Sequence, residues 1–407
     1  MRRKRAFVCI ITILISMSFA TIGAIAAQEQ SQEWPMFRNN PSHTGYTTSD
    51  GPTSIWLVWT STVDDAVYSS PIVSDEKVYI GTAGGFMYCF DARNGDQIWN
   101  YTVGGVIFST PAVADGRLYF GSRDNRIYCL NASTGSQIWN YTTGDIVDSS
   151  PAVVDGRVYF GSVDNNVYCL NASDGTKIWN YTTGLWIGCS PAVADGKVYI
   201  GSIDDYVYCL DANNGSQIWN YTTSASVDSS PAVVDGKVYI GSADNHVYCL
   251  DASDGALIWN YTTSGPVYSS PAVAFGRVYI GSSDDSIYCL NASTGSKIWN
   301  YTTGDEIASS PAVAGGKVYV GSDDNHIYCL AADTGVQIWN HTTSGRAHSS
   351  PAIAGGRVYA ASVNFRVYCI ADIGEIDPQF LILILIVAGV AVIFIAISVA
   401  LVLRARR

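Results

Sequence analysis

The chain repeats one pattern of short apolar runs separated by polar turns. In residues 149–183 it reads Ser-Ser-Pro-Ala-Val-Val, Asp155-Gly156, Arg-Val-Tyr-Phe-Gly-Ser-Val, Asp164-Asn165, Asn-Val-Tyr-Cys-Leu, Asn-Ala-Ser-Asp-Gly and Thr-Lys-Ile-Trp-Asn-Tyr-Thr-Thr. Short runs rich in β-branched and aromatic residues are typical of strands. Gly, Asn and Asp tolerate positive φ, so the polar pairs suit tight hairpin turns. Each unit is therefore predicted to form four short antiparallel strands.

This unit recurs eight times without an insertion, and its Trp and Cys residues keep a period of forty residues. Four-stranded units of about this length are typical of propeller blades. The sequence thus predicts an all-β, eight-bladed β-propeller of four-stranded antiparallel blades. The periodic Trp residues are Trp59, Trp99, Trp139, Trp179, Trp219, Trp259, Trp299 and Trp339. The periodic Cys residues are Cys89, Cys129, Cys169, Cys209, Cys249, Cys289, Cys329 and Cys369.

Proline and the ends of the repeat predict how the ring is arranged and closed. A proline such as Pro151 lies in each first strand, and proline is tolerated chiefly on edge strands, so this strand should line the central channel. The eighth unit stops after Tyr368-Cys369-Ile370, whereas residues 55–63 have a fourth-strand sequence without a blade. We expect this N-terminal strand to pair with the eighth unit and close the ring, with Trp59 packed against an adjoining blade.

The two ends of the chain predict export and anchoring. Residues 1–27 combine a basic start, an apolar run and a small-residue cleavage site, as in a signal peptide, although the long run leaves an uncleaved anchor open. A lead segment, 28–51, precedes the propeller at 52–373, and 374–379 form a linker. Residues 380–403 are apolar, uncharged and long enough for a C-terminal transmembrane helix. The basic tail, 404–407, should stay cytoplasmic, which places the propeller outside a single-pass cell membrane protein.

Charge narrows the class of partner. The chain has 23 Lys and Arg residues against 35 Asp and Glu residues, and seven of the basic residues lie in the two predicted end segments. The exported part is therefore strongly acidic. Such a field disfavours nucleic acid and anionic lipid as partners and favours cations or basic surfaces.

The run from Leu130 to Trp139 resembles the tryptophan-docking motif of the propellers named after pyrroloquinoline quinone. The lead, with Trp34-Pro35-Met36-Phe37-Arg38 and Pro41-Ser42-His43-Thr44-Gly45, is similar to the N-terminal signature of secreted members. The resemblance implies that each docking Trp packs between neighbouring blades, which gives a physical reason for one large aromatic residue in each blade.

The same resemblance bears on catalysis. Quinone-dependent dehydrogenases of this family resemble one another in having two adjacent cysteines under the cofactor, a Glu/Asn/Asp calcium site and long insertions. This sequence has no Cys-Cys pair, no insertion between units and no Cys-x-x-Cys-His haem motif. It is more similar to the non-catalytic branch, which includes the bacterial outer-membrane assembly scaffold lipoprotein. We therefore expect no enzymatic activity, no cofactor and no metal.

The other conspicuous residues favour structural roles. The periodic cysteines occupy different blades, too far apart for disulfides, and are predicted to be small buried hydrophobic residues. Cys189 is the exception, since it replaces a first-strand Ser. Asp-Asn and Asp-Asp pairs lack the spaced ligands of a calcium loop and suit hairpin turns. Glycosylation acceptor patterns after the docking Trp make Asn100, Asn140, Asn180, Asn220, Asn260, Asn300 and Asn340 possible glycosylation sites.

Differences between the units predict where a partner binds. The link from the fourth strand to the next blade varies, as does the turn between the second and third strands, and both should lie on one face of the disc. Aromatic and charged residues on exposed loops are typical of recognition surfaces, although loops also vary by drift. The predicted binding residues around the channel mouth are Tyr68, Phe108, Asp148, Trp186, Asp228, Tyr268, Glu306, Arg346 and His348.

These observations favour a membrane-anchored binding or scaffold module for a protein or glycan partner. The alternative is a quinone-dependent oxidoreductase with an atypical site that would use pyrroloquinoline quinone and calcium. In that alternative Trp186 would stack on the cofactor, and Asp148 or Asp228 would act as the base.

Overall fold

The computed structural model of the protein describes residues 33–372. The predicted signal peptide, membrane helix and cytoplasmic tail lie outside these residues. Within 33–372 no helix is long and apolar enough to cross a membrane.

Eight four-stranded antiparallel sheets form the blades of a propeller, as predicted. In blades 1 to 7 the strands follow sequence order from the channel outward, whereas the outermost strand of blade 8 comes from the N-terminal side of blade 1. Two short segments precede blade 1, namely β1 (Tyr46–Thr47) and β2 (Trp56–Thr62). Blade 1 is β3 (Ile72–Ser74), β4 (Lys77–Gly81), β5 (Phe86–Asp91) and β6 (Gln97–Thr102). Blade 2 is β7 (Ala112–Ala114), β8 (Arg117–Ser122), β9 (Arg126–Asn131) and β10 (Gln137–Thr142). Blade 3 is β11 (Ala152–Val154), β12 (Arg157–Gly161), β13 (Asn166–Asn171) and β14 (Lys177–Thr182). Blade 4 is β15 (Ala192–Ala194), β16 (Lys197–Gly201), β17 (Tyr206–Asp211) and β18 (Gln217–Thr222). Blade 5 is β19 (Ala232–Val234), β20 (Lys237–Gly241), β21 (His246–Asp251) and β22 (Leu257–Thr262). Blade 6 is β23 (Ala272–Ala274), β24 (Arg277–Gly281), β25 (Ser286–Asn291) and β26 (Lys297–Thr302). Blade 7 is β27 (Ala312–Ala314), β28 (Lys317–Ser322), β29 (His326–Ala331) and β30 (Gln337–Thr342). Blade 8 is β31 (Ala352–Ala354), β32 (Arg357–Ser362) and β33 (Arg366–Ala371), completed by β2.

The hydrophobic pattern of each strand follows its place in the blade. The second and third strands are covered on both sides by neighbouring blades, and their central residues are buried, as in β12 and β13. The fourth strand is the outer edge, and in β14 only Trp179 is buried. The turns take the positive φ that their residues allow, for example 51° at Asp155 and 70° at Asn165. One detail differs from the prediction, because each proline precedes its first strand by one residue, where no ladder bond is required.

The two ends of the strands define two faces of the disc. We call the face that carries the turns after the first and third strands the turn face; in blade 3 these turns lie at 155–156 and 172–176. We call the opposite face, with the links between blades and the turns between second and third strands, the mouth face; its blade 3 segments lie at 143–150 and 163–165.

A ring of hydroxyl side chains joins the innermost strands around the channel. In each blade, the residue before the proline accepts a hydrogen bond from the backbone N–H of its counterpart in the preceding blade, at 2.9–3.0 Å. The last bond, from Ser350 to Ser70, closes the ring. We call this set the girdle: Ser70, Thr110, Ser150, Ser190, Ser230, Ser270, Ser310 and Ser350.

The docking Trp of each blade packs against the following blade. Trp179 of blade 3, for example, donates its indole N–H to the Ala212 carbonyl of blade 4 at 3.1 Å, and the Tyr159 hydroxyl of blade 3 donates to the same carbonyl at 3.2 Å. Gly215 lies against the indole ring so closely that a Cβ there would be 2.6 Å from it. These contacts confirm that the repeated Trp binds neighbouring blades together.

The ring closes as predicted. β2 pairs antiparallel with β33, and Trp59 donates to the Ala92 carbonyl of blade 1 at 3.0 Å. Blade 8 ends before a docking turn, and Pro52 takes that place because its carbonyl accepts from Trp339 and Tyr319 of blade 7. The first and last parts of the chain thus share one blade.

The lead segment crosses the channel region and contacts the innermost strands. Its backbone carbonyls accept hydrogen bonds from the first strands of blades 1, 2, 4, 5, 6 and 7 at 2.7–2.9 Å. β1 adds a parallel pair with β27. The channel-facing edges of the first strands therefore find part of their backbone partners in the lead.

Candidate functional site

The two variable segments of the mouth face touch each other. The N–H of Arg123, in the turn of blade 2, donates to the carbonyl of Val106, in the link before that blade, at 2.9 Å. Equivalent bonds join Asp323 to Glu306 and Val363 to Arg346. Side chains from both segments are thus presented together, as their placement on one face predicts.

An aromatic cluster spans blades 8, 1 and 2 at the mouth. Tyr68 packs edge-on against Phe108, with ring centroids 4.9 Å apart, and against His348 at 6.0 Å. The Arg123 guanidinium lies 4.1 Å from the Phe108 ring centroid and pairs with Asp148 through two hydrogen bonds of 2.8–2.9 Å. The structure therefore brings four of the predicted residues into one connected set through an arginine that the sequence analysis missed.

Asp323 organises the other end of this set. Its carboxylate lies 3.3 Å from His348 Nδ1 and 3.5 Å from Arg346 Nη1. Burial would raise the pKa of Asp323, but His348 and Arg346 outweigh it and lower the pKa below its ordinary value. Asp323 was also missed, although its place in a variable turn beside the link was a signal that could have identified it.

The remaining predicted residues occupy the links before blades 4 to 7. Trp186 is 38% exposed and leans over Gly188, where a Cβ would lie 2.8 Å from its ring. Tyr268 is 45% exposed. Asp228 is partly buried, which raises its pKa, and accepts a hydrogen bond from Ser226 at 2.9 Å. Glu306 contributes its backbone carbonyl to the turn of blade 7. These residues form a wide half of the mouth rather than one compact cluster.

The turn face carries two cavities between neighbouring blades, which the sequence analysis did not predict. One, of about 170 Å³, lies between blades 8 and 1 and is lined by Glu33, Arg93 and Arg357 among others. The other, of about 220 Å³, lies between blades 3 and 4 and includes Arg157 and Asn213. Arg157 donates to Asn213 and to the Ala212 carbonyl, so its charge is used in joining the blades.

The cysteines behave as the sequence predicts. Those in residues 33–372 are free and buried. Burial raises the pKa of the Cys169 thiol, and that of Cys189, to about 12, so neither is a ready thiolate nucleophile. Cys189 takes the place of the first-strand Ser by accepting from the Gly201 N–H at 3.2 Å.

The quinone-dependent alternative requires a calcium site made of oxygen ligands. Within 33–372, no group of three or more His, Cys, Asp and Glu side chains is arranged to hold a metal ion. Asp148, one of the two candidate bases of the alternative function, is engaged by Arg123. The calcium and quinone of this alternative stay a prediction.

The acceptor asparagines lie on the outer strands. Asn140 and Asn180 are exposed, and Asn340 is half-buried. Glycosylation at these positions stays a prediction.

Comparisons with known proteins agree on the fold. The family model described as outer membrane protein assembly factor BamB matches residues 56–109, 102–186, 184–266 and 204–375. No curated protein matched the chain in sequence. Among solved structures, BamB from Moraxella catarrhalis is similar at 20% identity and a TM-score of 0.70, covering 79% of this chain and 99% of that one. The computationally designed Ika8 protein is similar at 16% identity and a TM-score of 0.71, covering 78% and 99%.

Quinohemoprotein alcohol dehydrogenase from Comamonas testosteroni is similar as well, at 14% identity and a TM-score of 0.72, covering 83% of this chain and 80% of that one. Identities this low show the fold alone, and the family rests on the model match, which extends over most of the chain. The chain therefore belongs to the family of PQQ-type repeat propellers whose model is described as outer membrane protein assembly factor BamB.

Proposed function

We propose that the protein is a non-catalytic binding or scaffold module that presents its mouth face to a protein partner. The observation that carries this proposal is the exposure of large side chains there. Tyr68, Trp186 and Tyr268 are 41%, 38% and 45% exposed on links that otherwise keep one backbone path. Exposed aromatic side chains on rigidly positioned loops are typical anchors of protein interfaces. The family model's description as an assembly factor agrees with a role in protein contacts.

The charge of the mouth face indicates the chemistry of the partner. Lys and Arg on this face, within residues 33–372, are confined to Arg123, Arg126, Arg346 and Arg366 in and around blades 2 and 8. The links and turns of blades 3 to 7 carry acids, including Asp145, Asp228 and Glu306. A partner with a basic contact surface would be complementary to this half of the mouth.

The binding test compares three immobilised versions of the full chain. The mouth variant carries Trp186→Ala and Tyr268→Ala, and the control carries Phe275→Asp. Phe275 is 55% exposed on the turn face, at a turn where five of the other units have Asp, so the control also removes an exposed aromatic ring. Each mouth anchor is expected to contribute about 2 kcal/mol, or a factor of about 30 in affinity.

A protein retained by the wild type and control but lost from the mouth variant supports the proposal. Proteins that both variants lose equally, or that neither variant loses, contradict the proposal. If glycans alone are retained, the partner is a glycan and not a protein.

We also propose that residues 380–403 anchor the propeller outside the cell membrane, with residues 404–407 in the cytoplasm. The support is the uncharged apolar run and the basic tail after it. Protease added to intact cells should remove the propeller and leave an epitope on the tail protected. A tail that is cleaved from outside would contradict the orientation.

The quinone-dependent oxidoreductase is the second candidate, favoured by one observation. Asp228 is a partly buried carboxyl group whose pKa is raised by burial, a property often found in catalytic bases. Incubating the protein with pyrroloquinoline quinone and calcium and measuring dye reduction by alcohols separates the candidates. Activity that is lost in Asp228→Asn would favour this second function.

A further inference from the structure

The chain leaves the last strand of blade 8 at the turn face. β33 ends at Ala371, which pairs with Trp56 at the start of the outer strand β2. The next residue, Asp372, accepts hydrogen bonds of 2.7–2.9 Å from the backbone and hydroxyl groups of Thr53 and Ser54. The point at which the chain leaves the propeller is therefore held at the outer turn-face corner of blade 8.

The length of the chain limits the distance from this corner to the apolar stretch at 380–403. Eight residue steps separate Asp372 from Phe380. A fully extended chain of that length spans at most about 28 Å. With residues 380–403 in the membrane, as proposed above, the corner of blade 8 lies within that distance of the membrane surface.

The same corner carries exposed apolar side chains where most blades have polar ones. Trp56 is 51% exposed, and Val336, at the equivalent position of the neighbouring blade 7, is 63% exposed. Blades 1 to 6 have Asp, Ser, Thr or Ala at this position. Leu57 is 39% exposed, where six of the other seven blades have Gln or Lys and only blade 5 also has Leu. We call Trp56, Leu57 and Val336 the apolar corner.

The composition of the apolar corner fits the interface of a lipid bilayer. An indole ring combines an apolar body with a polar N–H, and Trp is enriched at the level of the lipid headgroups. Residues 373–379 include Glu375 and Asp377 and contain no Lys or Arg, so this part of the sequence offers no attraction to anionic headgroups. An uncharged apolar contact suits a zwitterionic surface.

We propose that the apolar corner rests on the surface of the membrane that holds residues 380–403, with Trp56 at the level of the lipid headgroups. This contact rests on the proposed anchor. It turns the mouth face, at the opposite ends of the strands, away from the bilayer and toward the partner.

Bromine atoms on lipid acyl chains quench Trp fluorescence at close range and can test this contact. The 11 Trp residues of the chain all lie within residues 33–372, so quenching reports contact of the propeller and not of residues 380–403. The full chain is reconstituted into vesicles of phosphatidylcholine or of its brominated form. The brominated lipid should lower the emission of the wild type. Most of this decrease should disappear in Trp56→Phe and persist in Trp186→Phe, which removes an exposed Trp from the mouth face.

A second variant leaves every Trp in place. Leu57→Gln combined with Val336→Ser introduces residues that other blades have at these positions. It should reduce the quenching, because the corner then has less apolar surface to bury in the interface. Unchanged quenching in this variant would show that the apolar corner does not hold the propeller on the membrane.

Flotation of the vesicles in a density gradient separates failure of the contact from failure of the anchor. Wild-type protein that floats with the vesicles but is not quenched would overturn the contact and leave the anchor intact. Quenching that is lost in Trp186→Phe instead of Trp56→Phe would place the mouth face on the membrane and contradict the proposal. Protein that does not float with the vesicles would show that the anchor is wrong, and the contact would fall with it.

Discussion

At the scale of single residues, the packing of neighbouring blades depends on glycines whose backbone lies close to the docking Trp ring. Gly215 and Gly236 both have φ near 70°, a conformation that disfavours a Cβ. A Cβ on Gly215 would lie 2.6 Å from the Trp179 ring, whereas nothing lies within 4 Å of one on Gly236. Substituting Gly236 therefore tests backbone strain alone, whereas substituting Gly215 tests strain together with a steric clash against Trp179.

We predict that Gly236→Ala lowers the free energy of unfolding by about 1 kcal/mol, from backbone strain alone. Gly215→Ala should lower it by about 3 kcal/mol, because the methyl group also displaces Trp179 from its packed position. Urea denaturation of the two variants measures the difference. Equal losses would show that the close approach of glycine to Trp contributes nothing.

His43 gives a pH prediction. Burial, and then the nearby Arg38 charge, lower the pKa of His43 in the folded protein to about 3, against an ordinary value of 6.5. Between these values the unfolded chain binds one proton more than the folded protein, so the His43 contribution to stability is complete above pH 6.5 and falls as the pH drops toward 3. The slope is about 1.4 kcal/mol per pH unit in that window.

The wild type should therefore lose about 2 kcal/mol more than His43→Gln when the pH is lowered from 7 to 5. Urea denaturation of both proteins at the two pH values provides the comparison, since acids elsewhere affect the two proteins alike. Parallel losses would mean that His43 titrates normally.

Residue identity predicted much of this chemistry but not all of it. Column-by-column comparison of the units identified Tyr68, Phe108 and His348, which the structure places in contact. It missed Arg123 and Asp323, because ion pairing across a link and a turn depends on how two segments meet in space. Nothing in the sequence predicted that Arg38 would be buried, since the lead does not repeat and arginine is ordinarily exposed.

At the scale of elements, β2 closes the ring although it is far from β33 in sequence. Its register with β33 places Trp59 opposite Cys369, as each docking Trp faces its Cys within other blades. The absence of a docking Trp from the eighth unit, together with the fourth-strand sequence at 55–63 that precedes any blade, predicted this pairing. The role of Pro52 could not be predicted, because it substitutes for a turn with which it shares no sequence.

Trp59→Ala should therefore loosen the closing strand more than the rest of the ring. Loss of its packing and of the bond to Ala92 is expected to remove protection of β33 amides, such as those of Val367 and Cys369, from hydrogen exchange. Trp219→Ala is the control, since it removes an equivalent contact four blades away from the closure and should leave β33 protected. Loss of protection in β33 in both variants would show that the blades open as one unit.

At the scale of the whole molecule, the faces differ in charge as well as in loop variation. Lys and Arg residues begin the second strands on the turn face, where several bind the next blade; Lys197 donates to Ala252 at 2.9 Å. The half of the mouth face formed by blades 3 to 7 lacks Lys and Arg residues.

We predict that association with the partner identified at the mouth becomes weaker and slower as the salt concentration rises from roughly 50 to 300 mM, because screening shortens the distance over which charges attract. Binding kinetics at several salt concentrations test this, and salt-independent association would contradict a basic partner surface.

The lead segment contacts more blades than any other part of the chain, which predicts a role in holding the ring together. Its backbone carbonyls accept bonds from Val73, Val113, Val193, Val233, Val273 and Val313. Each such bond contributes about 1 kcal/mol net, so deleting residues 33–47, which spares Pro52 and β2, should lower the free energy of unfolding by several kcal/mol while the blades still form.

A synthetic peptide of residues 33–47 added to the deleted protein should restore part of the lost stability, because the N–H groups of the first strands can again donate to its carbonyls. The same peptide with Arg38→Ala and His43→Ala should restore less, since it lacks the side chains bound to Pro231, Pro271 and Pro311. Unchanged stability after the deletion would show that the girdle and the docking tryptophans hold the ring without the lead.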